Sequence, residues 1–125
     1  MTEPPGGMPP PQRALLDDQT VELAPIAARI CERYRDLYPD EEGRYGEAGN
    51  QWCRHDNQHI LNWAIGAAAG VVDFNREITW LARVLDARDF PIDRLAHDLE
   101  LADEELGHPA VGAVLRAGAA AVRAL

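Results

Sequence analysis

Residues 51–63 read Gln51-Trp52-Cys53-Arg54-His55-Asp56-Asn57-Gln58-His59-Ile60-Leu61-Asn62-Trp63. They hold one of the two cysteines, two of the four histidines and two of the three tryptophans. Elsewhere the repertoire is narrow. There is no Lys and no Ser, so all twelve basic residues are Arg. Schiff-base and PLP-lysine chemistry, a P-loop lysine and every Ser-His-Asp hydrolase are therefore excluded. Cys, Thr, His and the carboxylates remain as reactive groups.

On a helix turning about 100° per residue, Trp52, Asp56, His59 and Trp63 fall within about 60° of one another. That places a carboxylate and an imidazole on the same stripe as two indoles. A buried carboxylate costs several kcal/mol unless it is partnered, so Asp56 needs either an internal cation or a ligand that donates to it. His59 one turn on, or an Arg from a neighbouring helix, would be the internal answer. His55, Asp56 and His59 also have spacings that a metal could use. They lack the Glu of a His-Glu-x-x-His motif, and Cys53 faces about 100° away from the Trp stripe, so no metal centre is expected. Cys53 near a helix start is a nucleophile by residue type, but no oxyanion donor set is visible and an enzyme is not expected. His97 and His108 read as solvated positions near helix faces or ends.

Around this segment the apolar spacing predicts helices. Residues 1–14 contain Pro4, Pro5, Pro9, Pro10 and Pro11 with Gly6 and Gly7, which predicts a disordered or extended Pro-rich tail. From Leu15 onward no period-two strand is expected. Leu23, Ile26, Ile30 and Leu37 mark a first helix, with Pro25 near its first turn or kinking it. Residues 40–49 read as a polar loop, and the second helix as residues 50–69, punctuated by Gly70. A third helix carries Phe74, Ile78, Leu81, Ala82 and Leu85 on one stripe and Trp80 and Val84 on another, predicting neighbours on two sides. Asp89 and Pro91 suggest a cap and first-turn proline for a fourth helix burying Ile92, Leu95, Leu99, Ala102 and Leu106, stopped by Gly107. Pro109 opens a fifth, with Val111, Val114, Leu115, Gly118, Val122 and Leu125 inward. The fold class expected is all-α, about five helices over residues 15–125.

With 125 residues, 46% apolar and 26% charged, the chain fits one soluble domain with its own core. The net charge of −9 makes nucleic acid and anionic lipid poor partners. Residues 86–105 carry much of it, as a solvated face or a docking surface for a basic partner. Residues 63–72, the longest near-apolar run, reach about half of a ~20-residue membrane span. Without a visible secretory signal, a cytoplasmic protein with reduced thiols is expected.

Residues 53–70 resemble the phycobiliproteins, the bilin-binding branch of the globin-like fold. The family pattern is Cys-x-Arg-Asp, then aromatics and a Leu, then an apolar stretch closing in Ala-Gly. Cys53 and Asp56 keep the spacing of three, Leu61 and Trp63 follow, and Ala69-Gly70 closes the helix. A weaker likeness continues through residues 73–106. Arg54 sits one position early and His55 stands where the family has Arg. The Lys-free, Arg- and Ala-rich composition suggests a relative from a non-photosynthetic bacterium. The resemblance implies a globin-like domain binding a linear tetrapyrrole such as biliverdin, without an antenna role. Cys53 would be a covalent anchor and Asp56 the acceptor for pyrrole N–H groups. Trp52, His59 and Trp63 would line the pocket, and Arg54 or His55 would meet the propionates.

Haem is less expected, since residues 73–88 contain no His to act as a proximal ligand. The alternative from another class is a ligand-free helical adaptor or sensory domain, or a regulatory domain linked to haem or cobalamin. A homodimer is compatible with all of these readings.

Overall fold

The computed structural model describes residues 9–125. It is all-α, with a small two-stranded sheet added: five helices follow an antiparallel hairpin. The hairpin pairs β1 (Arg13–Leu16) with β2 (Gln19–Glu22) in the register Arg13↔Glu22 and Leu16↔Gln19. Asp17 and Asp18 turn the corner with φ of 51° and 63°, the two left-handed positions that a two-residue hairpin loop requires. Arg13 Nε donates to Glu22 Oε2 at 2.7 Å across the strands. This hairpin corrects two expectations, the absence of strands and a tail running through residue 14. Residues 1–8 of that tail lie outside the described residues.

The chain divides into two compact units, Met1–Asn62 and Trp63–Leu125. The first contains the hairpin, α1 (Leu23–Leu37) and most of α2 (Asp40–Ala68). The N–H of Leu23 donates to Gln12 O at 2.9 Å, joining the hairpin to the start of α1. Helix α1 buries Leu23, Ile26, Ala27, Ile30, Cys31 and Tyr34, the three-four spacing of a single apolar stripe. Pro25 stands in its first turn, where a missing N–H costs nothing, while Leu37 is half exposed.

Helix α2 begins at Asp40, so the expected polar loop over residues 40–49 is helical instead. Asp40, Glu41 and Glu42 occupy its first turn, where carboxylates meet the positive end of the helix dipole. The chain leaves helical geometry at Gly46, with φ 64° and ψ −155°, a region essentially restricted to glycine. Arg35 of α1 secures the kink. Its guanidinium pairs with Glu42 and donates to Gly46 O at 2.9 Å, satisfying a carbonyl at the break. At the far end Gly70, with φ 82°, allows Val71 N–H to return to Gly66 O at 2.9 Å.

The second unit holds α3 (Phe74–Asp86), α4 (Ile92–Leu106) and α5 (Pro109–Arg123). Asp73 caps α3, its Oδ1 accepting from Arg76 N at 3.2 Å. His108 caps α5, its Nδ1 accepting from Val111 N at 3.3 Å, and is not merely solvated. Gly107 closes α4 in the left-handed conformation, as expected. Pro91 is the N-cap of α4 rather than its first residue, and Asp89, at φ 61°, belongs to the preceding turn. Helix α5 packs along α4 and against α3. Its Gly118 lies on Phe74, where a Cβ would collide with the ring. Trp80 is 55% exposed and Leu125 53%, so neither is the inward residue expected, while Val84 is part-buried.

Among the described residues no helix is long and apolar enough to cross a membrane.

Candidate functional site

The first correction concerns sulfur. Cys31 of α1 and Cys53 of α2 form a disulfide with Cα atoms 6.0 Å apart, replacing the two reduced thiols expected. A thioether anchor at Cys53 needs that sulfur, so the covalent role does not fit this structure. Asn57, one turn after Cys53 and only 2% exposed, lies against the bridge. Its amide nitrogen donates to Cys53 O at 3.0 Å and stands 3.5–3.6 Å from the two sulfurs.

Beyond the bridge the buried residues along α2 include Asn57, Ile60, Leu61, Ala64 and Ile65. Gln58 is also buried and donates to Pro11 O at 3.0 Å, tying the segment before the hairpin onto α2. Trp52 is buried as well, at 9% exposure. Asp56, His59 and Trp63 are only part-buried and occupy the flank of the helix rather than its inward centre. Arg54 is exposed. Trp63 opens the second unit.

The structure does bring His55, Asp56 and His59 together. Asp56 Oδ1 lies 3.3 Å from His55 Nδ1, which donates when that nitrogen carries the proton. The His55 and His59 rings meet edge-on, centroids 4.7 Å apart, the contact that i and i+4 positions on a helix allow. The Asp56 and His55 side chains keep 18% and 11% exposure, so the group is sheltered without being fully buried. Among the described residues the Asp56 carboxylate has no arginine partner. One contact uses little of its capacity, since an ionised carboxylate offers about four lone-pair sites. No set of three or more His, Cys, Asp or Glu among the described residues is placed to hold a metal ion.

The arrangement offers a carboxylate acceptor beside two imidazoles, with Arg54 on the same helix at the surface. It suits binding of a donor-rich molecule. Cys31, Asn57 and Gln58 are the residues that attention to the Trp stripe passes over. Asn57 shares the Cys53 side of the helical wheel, and that was the signal available for it. No protein-family model, no curated protein and no solved structure matches this chain.

Proposed function

We propose that the chain is a non-enzymatic binding protein for a linear tetrapyrrole of the biliverdin type, held without a covalent bond. One observation carries this reading: the part-buried Asp56 carboxylate is not neutralised by an arginine and keeps acceptor capacity beside His55 and His59. A row of pyrrole N–H groups is the complementary donor set, and a charge-assisted contact of this kind favours a protonated chromophore. Arg54, exposed on the same helix, suits a propionate, which a guanidinium binds through two parallel hydrogen bonds. The Cys-to-Asp spacing and the Leu61, Trp63 and Ala69-Gly70 sequence support the same ligand class by resemblance. The globin-like assignment belongs to this proposal.

The test is optical. Biliverdin added to the purified protein gives a red-shifted, sharpened visible band, and a denaturing gel separates the pigment from the protein. Asp56→Ala loses the band and weakens binding by about 10–100-fold, the worth of one hydrogen bond to a charged group. A wild-type protein that leaves the biliverdin spectrum unchanged ends the proposal. An unchanged spectrum in Asp56→Ala removes Asp56 from it.

A further inference from the structure

We propose that the outward stripe of α3, Arg76, Trp80 and Arg83, is a docking surface for an acidic amphipathic segment of another protein. This inference uses residues of the second unit alone and stands apart from the tetrapyrrole reading.

The observation begins with an indole in water. Trp80 is 55% exposed, against 9% for Trp52, and a large aromatic left in solvent forgoes a substantial burial free energy. Arg76 and Arg83 flank it at i−4 and i+3, so all three side chains share one side of the helix. Both arginines are exposed, and among the described residues neither guanidinium has an ion-pair partner. The same unit does pair other cations. Arg116 holds Asp103 at 2.8 Å and Arg123 holds Glu100 at 2.8 Å. In a chain of net charge −9, two uncompensated guanidiniums around an exposed Trp form a local exception. Trp and Arg are also the residue types that dominate binding hot spots.

Charge and spacing define the occupant. Seven residues of helix separate the two arginines by about 10.5 Å along the axis. A matching partner is a helix carrying two carboxylates seven residues apart, with an apolar side chain between them to cover Trp80. A second copy of α3 is the wrong partner. Stacked about Trp80 in either direction, it places arginine against arginine, and like charges repel. Nucleic acid is disfavoured too, because a long polyanion meets the field of the whole acidic chain.

The experiment uses the full chain and a fluorescein-labelled, helix-forming peptide containing Glu-x-x-Leu-x-x-x-Glu. Fluorescence anisotropy at low salt shows saturable binding. Binding falls at least about tenfold when both peptide Glu residues become Gln, and likewise when they are moved to three residues apart. Trp80→Ala lowers affinity by a similar factor. The double variant Arg76→Glu, Arg83→Glu loses the acidic peptide and gains a version carrying Lys in place of both Glu. Circular dichroism of both variants stays helical, since all three side chains are exposed. Absence of saturable binding, binding indifferent to Trp80→Ala, or tighter binding of a single-stranded RNA or of anionic vesicles overturns the proposal. So does self-association of the chain that Trp80→Ala abolishes.

Discussion

The units Met1–Asn62 and Trp63–Leu125 each join helices to one another, and they do so with different chemistry. In the first, α1 and α2 are joined by the Cys31–Cys53 bridge, by Asn57 lying against it, and by the Arg35 contacts to Glu42 and Gly46. Polar side chains are buried there, Glu41, Asn57 and Gln58 among them. In the second, Phe74, Ile78, Leu99, Val111, Leu115 and Val122 are buried on its helices, and Gly118 lets α5 approach Phe74 closely. Its salt bridges lie at the rim. The difference is physical. Buried amides and carboxylates need hydrogen-bond partners and contribute little apolar transfer energy, so a covalent link supplements the first unit. Close packing of Leu, Val, Ala and Gly dominates the second, where Asp98 is the one buried charged side chain among the described residues.

The largest effect is expected from the packed unit. Leu115→Ala deletes a fully buried side chain and should cost about 2–5 kcal/mol through lost transfer energy and the cavity left behind. Chemical denaturation followed by hydrogen exchange on α5 measures it, and the loss should be the same with or without reductant. A reductant-dependent loss would erase the distinction between the two units.

Next comes the crosslinked unit. The bridge spans a sequence separation of 22, for which the loop-entropy model gives about 3 kcal/mol of stabilisation. The double variant Cys31→Ala, Cys53→Ala should lose about that much, with protection falling first in α1. Wild-type protein in dithiothreitol should match it. If reductant leaves amide protection in α1 unchanged, the buried contacts of the first unit hold without the bond.

The two regions also differ in how much of them is legible in the sequence. In the second unit the punctuation is local and strong. Gly107 and Pro109 mark the end of α4 and the start of α5, and the apolar spacing of α3, α4 and α5 names most of their buried residues. Trp80 departs from it because an aromatic at helical spacing reads as buried, and no sequence pattern distinguishes an indole kept for the surface. In the first unit the decisive interactions are non-local. Arg35 reaches Gly46 across 11 residues and Cys31 reaches Cys53 across 22, so neither belongs to a local pattern. The hairpin turns on Asp17-Asp18 rather than the usual Asn-Gly or Asp-Gly pair, and its strands are four residues each. For the candidate site, the helical wheel puts Asp56 and His59 on one stripe, and both are part-buried. Centring the buried face on the tryptophans misplaces it, because Asn57, Ile60 and Leu61 hold the inward position.

The smallest effect probes the rim of the second unit, where electrostatics adds to packing already in place. The Arg123 hydrogen bonds hold the Glu100 carboxyl below its ordinary pKa; partial burial opposes this, and the charges of Arg123 and His97 reinforce it. A carboxyl whose pKa is lowered by folding adds stability above the range where the unfolded glutamate titrates. That contribution disappears as the pH falls through the folded-state value. With both side chains about 40–46% exposed, solvent screening keeps it below about 1 kcal/mol. Glu100→Gln should therefore lower stability slightly at neutral pH, and the gap from wild type should close as acid is added and shrink in high salt. Paired denaturation curves across the acid range measure it. A gap that persists at acid pH would assign Glu100 a packing role in the α4–α5 contact, making that rim part of the core.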